Sequence, residues 1–190
     1  MLLLLSYPIG RWQVLIGKFV GHLAIQAFAT VIGYGGAAGA LAAAGTVIDA
    51  DSWTAFACMI GSSVLLGAAF SAIGYLVSAL VRERGTAGGI AVGIWLLFVL
   101  IYDMALLGLL VVDQCRVVSG GVLDALLLLN PADVYRLFNL TGFANVSSFS
   151  GMAGVAKGAA LGPTVLLAAL AAWIFVPLAL AALAFSRREL

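Results

Sequence analysis

The sequence predicts an all-α polytopic membrane protein, with four transmembrane helices and shorter re-entrant or interfacial helices on the outer side. Two observations predict it. Of the 190 residues, 64% are hydrophobic and 9% are charged, against about 45–50% apolar and about 25% charged in a soluble domain. The apolar residues also gather into four stretches, each longer than the roughly 20 residues a bilayer needs.

The opening segment 1–18, MLLLLSYPIGRWQVLIGK, does not itself span. It is no signal peptide, because its cations, Arg11 and Lys18, follow the leucines instead of preceding them. It is no phosphate loop either: G-x-x-x-x-G-K-[ST] places glycine at Trp12 and a hydroxyl at Phe19, and both fail. The spans follow at about 19–44, 53–81, 86–112 and 161–185. The longer ones imply tilt. Arg11, Lys18, Arg82, Arg84, Arg187 and Arg188 then flank one side, and Arg116, Arg136 and Lys157 fall on the other. The first set is more numerous and closer to the spans, which makes it cytoplasmic. An even span count puts both chain ends there.

Between the third and fourth spans lies an apolar external segment, with helices at about 121–142. VLDALLLLNP is too short to cross and reads as a re-entrant or interfacial helix. Asn130 is placed to cap a second short helix, with Pro131 at its first position. Asp133 falls in that helix's first turn, where a negative charge meets the dipole favourably, and Gly142 ends it. The stretch NVSSFSGMAG is a polar loop of small residues.

Small residues recur four apart: Gly17 and Gly21, Gly35 and Gly39, Ser63, Gly67 and Ser71, and Gly85, Gly89 and Gly93. Such stripes let helix backbones approach in lipid. Packing within the bundle is the expected use, and a dimer seam or sliding surface is the alternative.

Asp103 is the one carboxylate well inside a span, where an ionisable group costs about 2.5–3.5 kcal/mol on insertion scales. It reads either as a proton or cation site or polar latch, or as a carboxyl hydrogen-bonded within the bundle. His22, the only histidine, reads as structural or interfacial. Cys58 with Met59, and Met104 beside Asp103, are ordinary span residues, and no metal site is expected. HExxH is absent, and His22 stands at the wrong depth to activate Ser63, so an intramembrane protease is not supported. A net charge of +1 provides no field for nucleic acid.

The stretches LLLLSYPIGRWQVLIGKFVGH, GYLVSALVRERGTAGGIAVGIWLLFVLIYDMALLGLL, LLLLNPADVYRLFNLTG and GMAG together resemble the type-2 permeases of ATP-binding-cassette (ABC) exporters. The similarity is closest to their NosY branch and covers almost the whole chain. In that family a cytoplasmic element leads through a Ser-Pro-Arg-Gly-Lys pattern into the third of six spans and docks on the ATPase. Ser6, Tyr7, Pro8, Arg11 and Lys18 stand at the matching positions. The resemblance implies a partial coupling element at 1–18 and two further spans ahead of Met1, so that the chain is a fragment of a six-span permease.

The resemblance also implies a homodimer in the bacterial inner membrane, paired with a separate ATPase subunit that holds ATP and Mg. No enzyme activity and no cofactor are expected in this chain. The implied role is assembly of the copper–sulfur centre of periplasmic nitrous oxide reductase, with a periplasmic β-helical protein resting on the outer helices. Asn130, Asp133 and Arg136 are the residues expected to form that partner surface. Export of a sulfur species and purely mechanical transmission both fit. A generic exporter of a drug or lipid is the alternative.

Overall fold

The computed structural model describes residues 11–45, 50–113, 120–142 and 161–186, and every regular element among them is helical. In chain order these are α1 (Arg11–Ala43), α2 (Ala50–Leu80), α3 (Arg84–Leu96), a π-helical turn (Leu97–Ile101), α4 (Tyr102–Asp113), α5 (Gly120–Leu128), α6 (Pro131–Gly142) and α7 (Pro163–Ser186). Four segments are long and apolar enough to cross a bilayer: Trp12–Ala43, Ser52–Leu80, Arg84–Val112 and Pro163–Phe185.

Among the described residues the first helix begins at Arg11, ahead of the span expected from about Phe19. Its early residues contain no proline, so once the apolar stretch is helical the turn before it propagates at little cost. The segment from Arg11 to Lys18 is therefore continuous with the first span. The helix ends where Gly45 adopts φ +81°, a left-handed conformation that glycine takes without a Cβ penalty.

Val81, Arg82 and Glu83 make the tight charged turn from α2 to α3. Glu83 is extended and accepts the Thr86 hydroxyl at 2.8 Å. The third span runs through α3, the π turn and α4. Within it the Tyr102 N–H reaches back to Leu97 O, the wider i→i−5 bond of a π turn. The last span opens on Pro163, whose missing N–H costs nothing at a helix's first position.

Helix α2 is the centre of the bundle and touches α1, α3, α6 and α7. Ala68, Ala69 and Ala72 are almost fully buried there, against Phe19 of α1 and Ile174 of α7. Their small side chains let the three backbones come close, where dispersion replaces the hydrophobic drive that lipid lacks. Gly67 continues this surface: a Cβ there would overlap Gln26 Nε2, so the glutamine fills the glycine's notch. The other stripes behave differently from expectation. Gly17, Gly21, Gly35, Gly39, Gly85, Gly89 and Gly93 have nothing within 4 Å of where a Cβ would stand. Among the described residues these glycines therefore meet no neighbouring helix.

Gly67→Leu should drive Gln26 out of its notch and lower stability by about 1–3 kcal/mol. Adding Gln26→Ala should recover most of the loss, read as thermal midpoints of detergent-solubilised protein. Simple additivity of the two changes would refute the notch.

Candidate functional site: a re-entrant hairpin and its polar anchors

Helices α5 and α6 form a hairpin that turns at Leu129 and Asn130. Neither arm is long enough to span. The turn nevertheless reaches the middle of the bundle. Asn130 Nδ2 donates to Phe98 O at 2.9 Å, and Phe98 is the midpoint of the span Arg84–Val112. Trp173 Nε1 donates to Leu128 O at 3.1 Å, and Trp173 lies beside the midpoint of Pro163–Phe185. Of the two expected readings, re-entrant or interfacial, the depth of the turn selects re-entrant.

Backbone at that depth has no water to bond, and each unpaired group costs several kcal/mol. The end of α5 shows how the requirement is met. The Tyr102 hydroxyl donates to Leu126 O at 2.7 Å, Asn130 N donates to Leu127 O at 3.4 Å, and Trp173 takes Leu128 O. At the start of α6, Asn130 Oδ1 accepts Ala132 N at 3.0 Å, while Pro131 has no N–H to satisfy. Asn130 thus serves both helices and a neighbouring span, and it is completely buried. The cap expected from the Asn-Pro pair is present.

Beneath the turn, Phe98 meets Trp173 edge-to-face with centroids 5.4 Å apart, and Phe70 of α2 meets Phe98 at 6.4 Å. Leu127, Val134, Leu137, Leu166 and Leu170 seal the hairpin to α7. An apolar cavity of about 280 Å³ opens beside the tip, lined by Leu128, Ala169, Ala172, Trp173, Val176 and Pro177.

The charged groups converge on one side of α6. Arg136 donates to Asp103 of α4 and lies 3.4 Å from Asp133 one turn earlier on α6. Asn130 Nδ2 donates to Asp133 Oδ2 at 2.8 Å. Asp133 is only 3% exposed. Burial first, and then the hydrogen bond and charge of Asp103, push its pKa up to about 6 against the lowering effects of Asn130 and Arg136. Asp103 thus joins the third span to the hairpin through Arg136. Asp124 on α5 keeps Oδ1 buried without a partner among the described residues.

A second, neutral seam joins α6 to α2. Asn139 Nδ2 donates to Ser62 Oγ at 3.0 Å, Ser62 donates to Met59 O at 3.2 Å, and the hydroxyls of Ser63 and Tyr135 meet at 3.0 Å. Tyr135 and Asn139 are one turn apart and so share a face.

Residues 1–190 match the family model described as "ABC-2 family transporter protein". The chain belongs to the ABC-2 permease family. It is 44% identical over 191 residues to the "Probable ABC transporter permease protein NosY" of Pseudomonas aeruginosa, covering 100% of this chain and 69% of that relative. It is 45% identical over 190 residues to the protein of the same name from Stutzerimonas stutzeri, covering 99% of this chain and 68% of that one. As an ABC-2 permease the chain is a membrane-embedded subunit and not an enzyme, and ATP hydrolysis belongs to a separate subunit.

Within this ABC-2 permease the expected site residues fall into two groups. Ser6, Tyr7 and Pro8 lie outside the described residues. Arg11 begins α1, and Lys18 is exposed on the same helix. Asp103, Asn130, Asp133 and Arg136, drawn from separate expectations, form one cluster. A correction applies to Asn130 and Asp133. They were expected on an outward partner surface, but their side chains turn into the bundle, because the turn's backbone and Arg136 need them there. Arg136 is 36% exposed. His22 Nδ1 lies 2.6 Å from the Tyr75 hydroxyl of α2. Sequence reasoning missed Ser62, Ser63, Tyr135, Asn139, Tyr102 and Trp173. The i, i+4 spacing of Tyr135 and Asn139 was the available signal.

Arg136→Met should cost about 1–3 kcal/mol, because it leaves the buried Asp133 and the half-buried Asp103 without their cation, and Asp103→Leu in the same chain should recover much of this. The single-mutant loss should be smaller at pH 5 than at pH 8. Arg136 is one of the two groups that hold the raised pKa of Asp133 down, so without it the carboxyl is protonated at pH 5 and carries no stranded charge there. Thermal midpoints at the two pH values test both statements, and a pH-independent loss would refute the role given to Asp133.

Proposed function

We propose that this permease subunit passes the ATPase cycle of its partner subunit to the opposite side of the bacterial inner membrane, for assembly of the copper–sulfur centre of nitrous oxide reductase. The observation that carries this reading is similarity along the whole chain to permeases named NosY, at 44% and 45% identity. The flanking cations Arg11, Lys18, Arg82 and Arg84 support a cytoplasmic position for the start of α1 and the α2–α3 turn. The hairpin enters from the other end of the spans, the periplasmic side in this orientation. The segment containing Ser6, Tyr7, Pro8, Arg11 and Lys18 docks on the ATPase. Two copies of the permease act together, and the outer ends of α5 and α6 face a periplasmic β-helical partner, with Arg136 the exposed charge among the three residues expected there.

Between export and mechanical transmission, the geometry favours transmission. Arg136 of the hairpin bonds Asp103 of the third span and Asp133 one turn earlier, an arrangement that holds helices together. Alternating tilts of packed helices then move the hairpin.

Replacing Pro8 and Arg11 together should reduce co-purification of the ATPase while membrane insertion is unchanged, and undiminished co-purification would remove the coupling assignment. Asp103→Asn should lower the fraction of reductase carrying a complete copper–sulfur centre, measured by its absorption spectrum. A fully loaded reductase would show that the carboxylate only packs. Normal reductase loading in a strain lacking the permease would point instead to a generic exporter.

A further inference from the structure

We infer that α2 is the rod that moves the re-entrant hairpin, and that Ser62 and Ser63 with Asn139 and Tyr135 are the joint between them. The inference deepens the transmission reading and rests on it.

Three observations converge. The hairpin's tip is fixed to two spans by Asn130 to Phe98 O, Tyr102 to Leu126 O and Trp173 to Leu128 O, and Arg136 reinforces it through Asp103. Those bonds end on backbone carbonyls that have no substitute partner in lipid, so releasing them is costly. The joint on α2 is of another kind. Its bonds link neutral side chains, Asn139 to Ser62 and Ser63 to Tyr135. Each is worth only about 1 kcal/mol net, and hydroxyls and amides exchange partners by rotation.

The second observation is stiffness. Helix α2 runs unbroken from Ala50 to Leu80, whereas the third span carries the π turn Leu97–Ile101 and α7 carries Pro177 inside it. The two spans that hold the tip carry a π turn and a proline near its depth, and α2, which holds the joint, carries neither.

The third is the other end of α2. Tyr75 bonds His22 of α1, and Leu15 of α1 packs with Ala79 and with Ala181 of α7. Movement of the start of α1 therefore reaches α2 directly. From Tyr75 to Ser63 is twelve residues of helix, about 18 Å. A tilt of α2 carries Tyr135 and Asn139 with it and swings α6 about the fixed tip.

The test uses the assembled permease–ATPase complex, with Cys58 and Cys115 replaced by serine. One cysteine pair reports the joint, Ser62→Cys with Asn139→Cys. A second reports the tip, Leu128→Cys with Ala169→Cys, whose side chains line the same cavity. Rates of bridging by a short, reducible, membrane-permeant cross-linker are compared in nucleotide-free and vanadate-trapped complex. The joint rate should change by about five-fold or more and the tip rate by less than about two-fold. Amide hydrogen exchange in cysteine-unmodified complex gives the same comparison, residues 135–140 against 126–130, where a cysteine pair prevents assembly. Equal responses at both places overturn the inference. A nucleotide-dependent joint together with reductase loading that survives complete bridging leaves the joint standing and removes the maturation reading. Loading lost on bridging and restored by reductant supports both.

Discussion

Everything distinctive in this subunit follows from one constraint: backbone that turns inside a bilayer must find every hydrogen-bond partner within the protein. A helix crossing the membrane satisfies itself, but a hairpin that enters and returns does not. The end of α5 and the start of α6 leave carbonyls and amides orphaned at mid-depth. Tyr102, Asn130 and Trp173 supply what water supplies at a surface. None of the three belongs to α5 or α6 proper; one sits in the turn and two on neighbouring spans. The hairpin is therefore not an independent unit resting on the bundle but a structure the bundle completes.

That completion explains the charges. An ion pair inside a bundle is not automatically stabilising, since desolvation offsets much of the attraction. What Arg136 and Asp103 add is location. The guanidinium on α6 meets a carboxylate on α4 just beyond the π turn, and Asp133 holds both Arg136 and the capping Asn130. Sliding the hairpin along the third span by one helical turn would leave a buried carboxylate alone. Leucine packing along α7 resists such sliding far less, because one leucine replaces another. The polar groups set register, and the apolar groups of α7 provide the hairpin's largest packing surface.

The spans were legible because hydropathy is a local property and each apolar stretch exceeds the bilayer's demand. The cap at Asn130 was legible for the same reason, since Asn before Pro is a local chemical arrangement. The depth of the hairpin was not. A nine-residue apolar helix has the same composition lying at an interface or standing in a bundle, and only its contacts differ. Asp103 was recognised as anomalous, but its partner was sought nowhere near Arg136, because 33 positions of chain separate the two. The glycine stripes misled in the opposite sense. A stripe permits close approach without saying which helix approaches, and among the described residues the one through Gly67 is the one occupied.

The division between fixed tip and soft joint also bears on why the spans are built differently. If all three helices around the hairpin were equally stiff, a tilt of one would strain every contact at once. The bundle would then either resist or come apart. A π turn and an internal proline place compliance in the two helices that hold the tip, near the depth where it is held. Compliance there lets the tip keep its costly backbone bonds while α2 moves. A joint of hydroxyls and an amide tolerates that movement, since its members re-form bonds within a rotation about one torsion. Strong bonds stand where loss is expensive, and exchangeable ones stand where motion must pass. That ordering is what a transmitting element requires, whatever stands beyond the outer ends of α5 and α6.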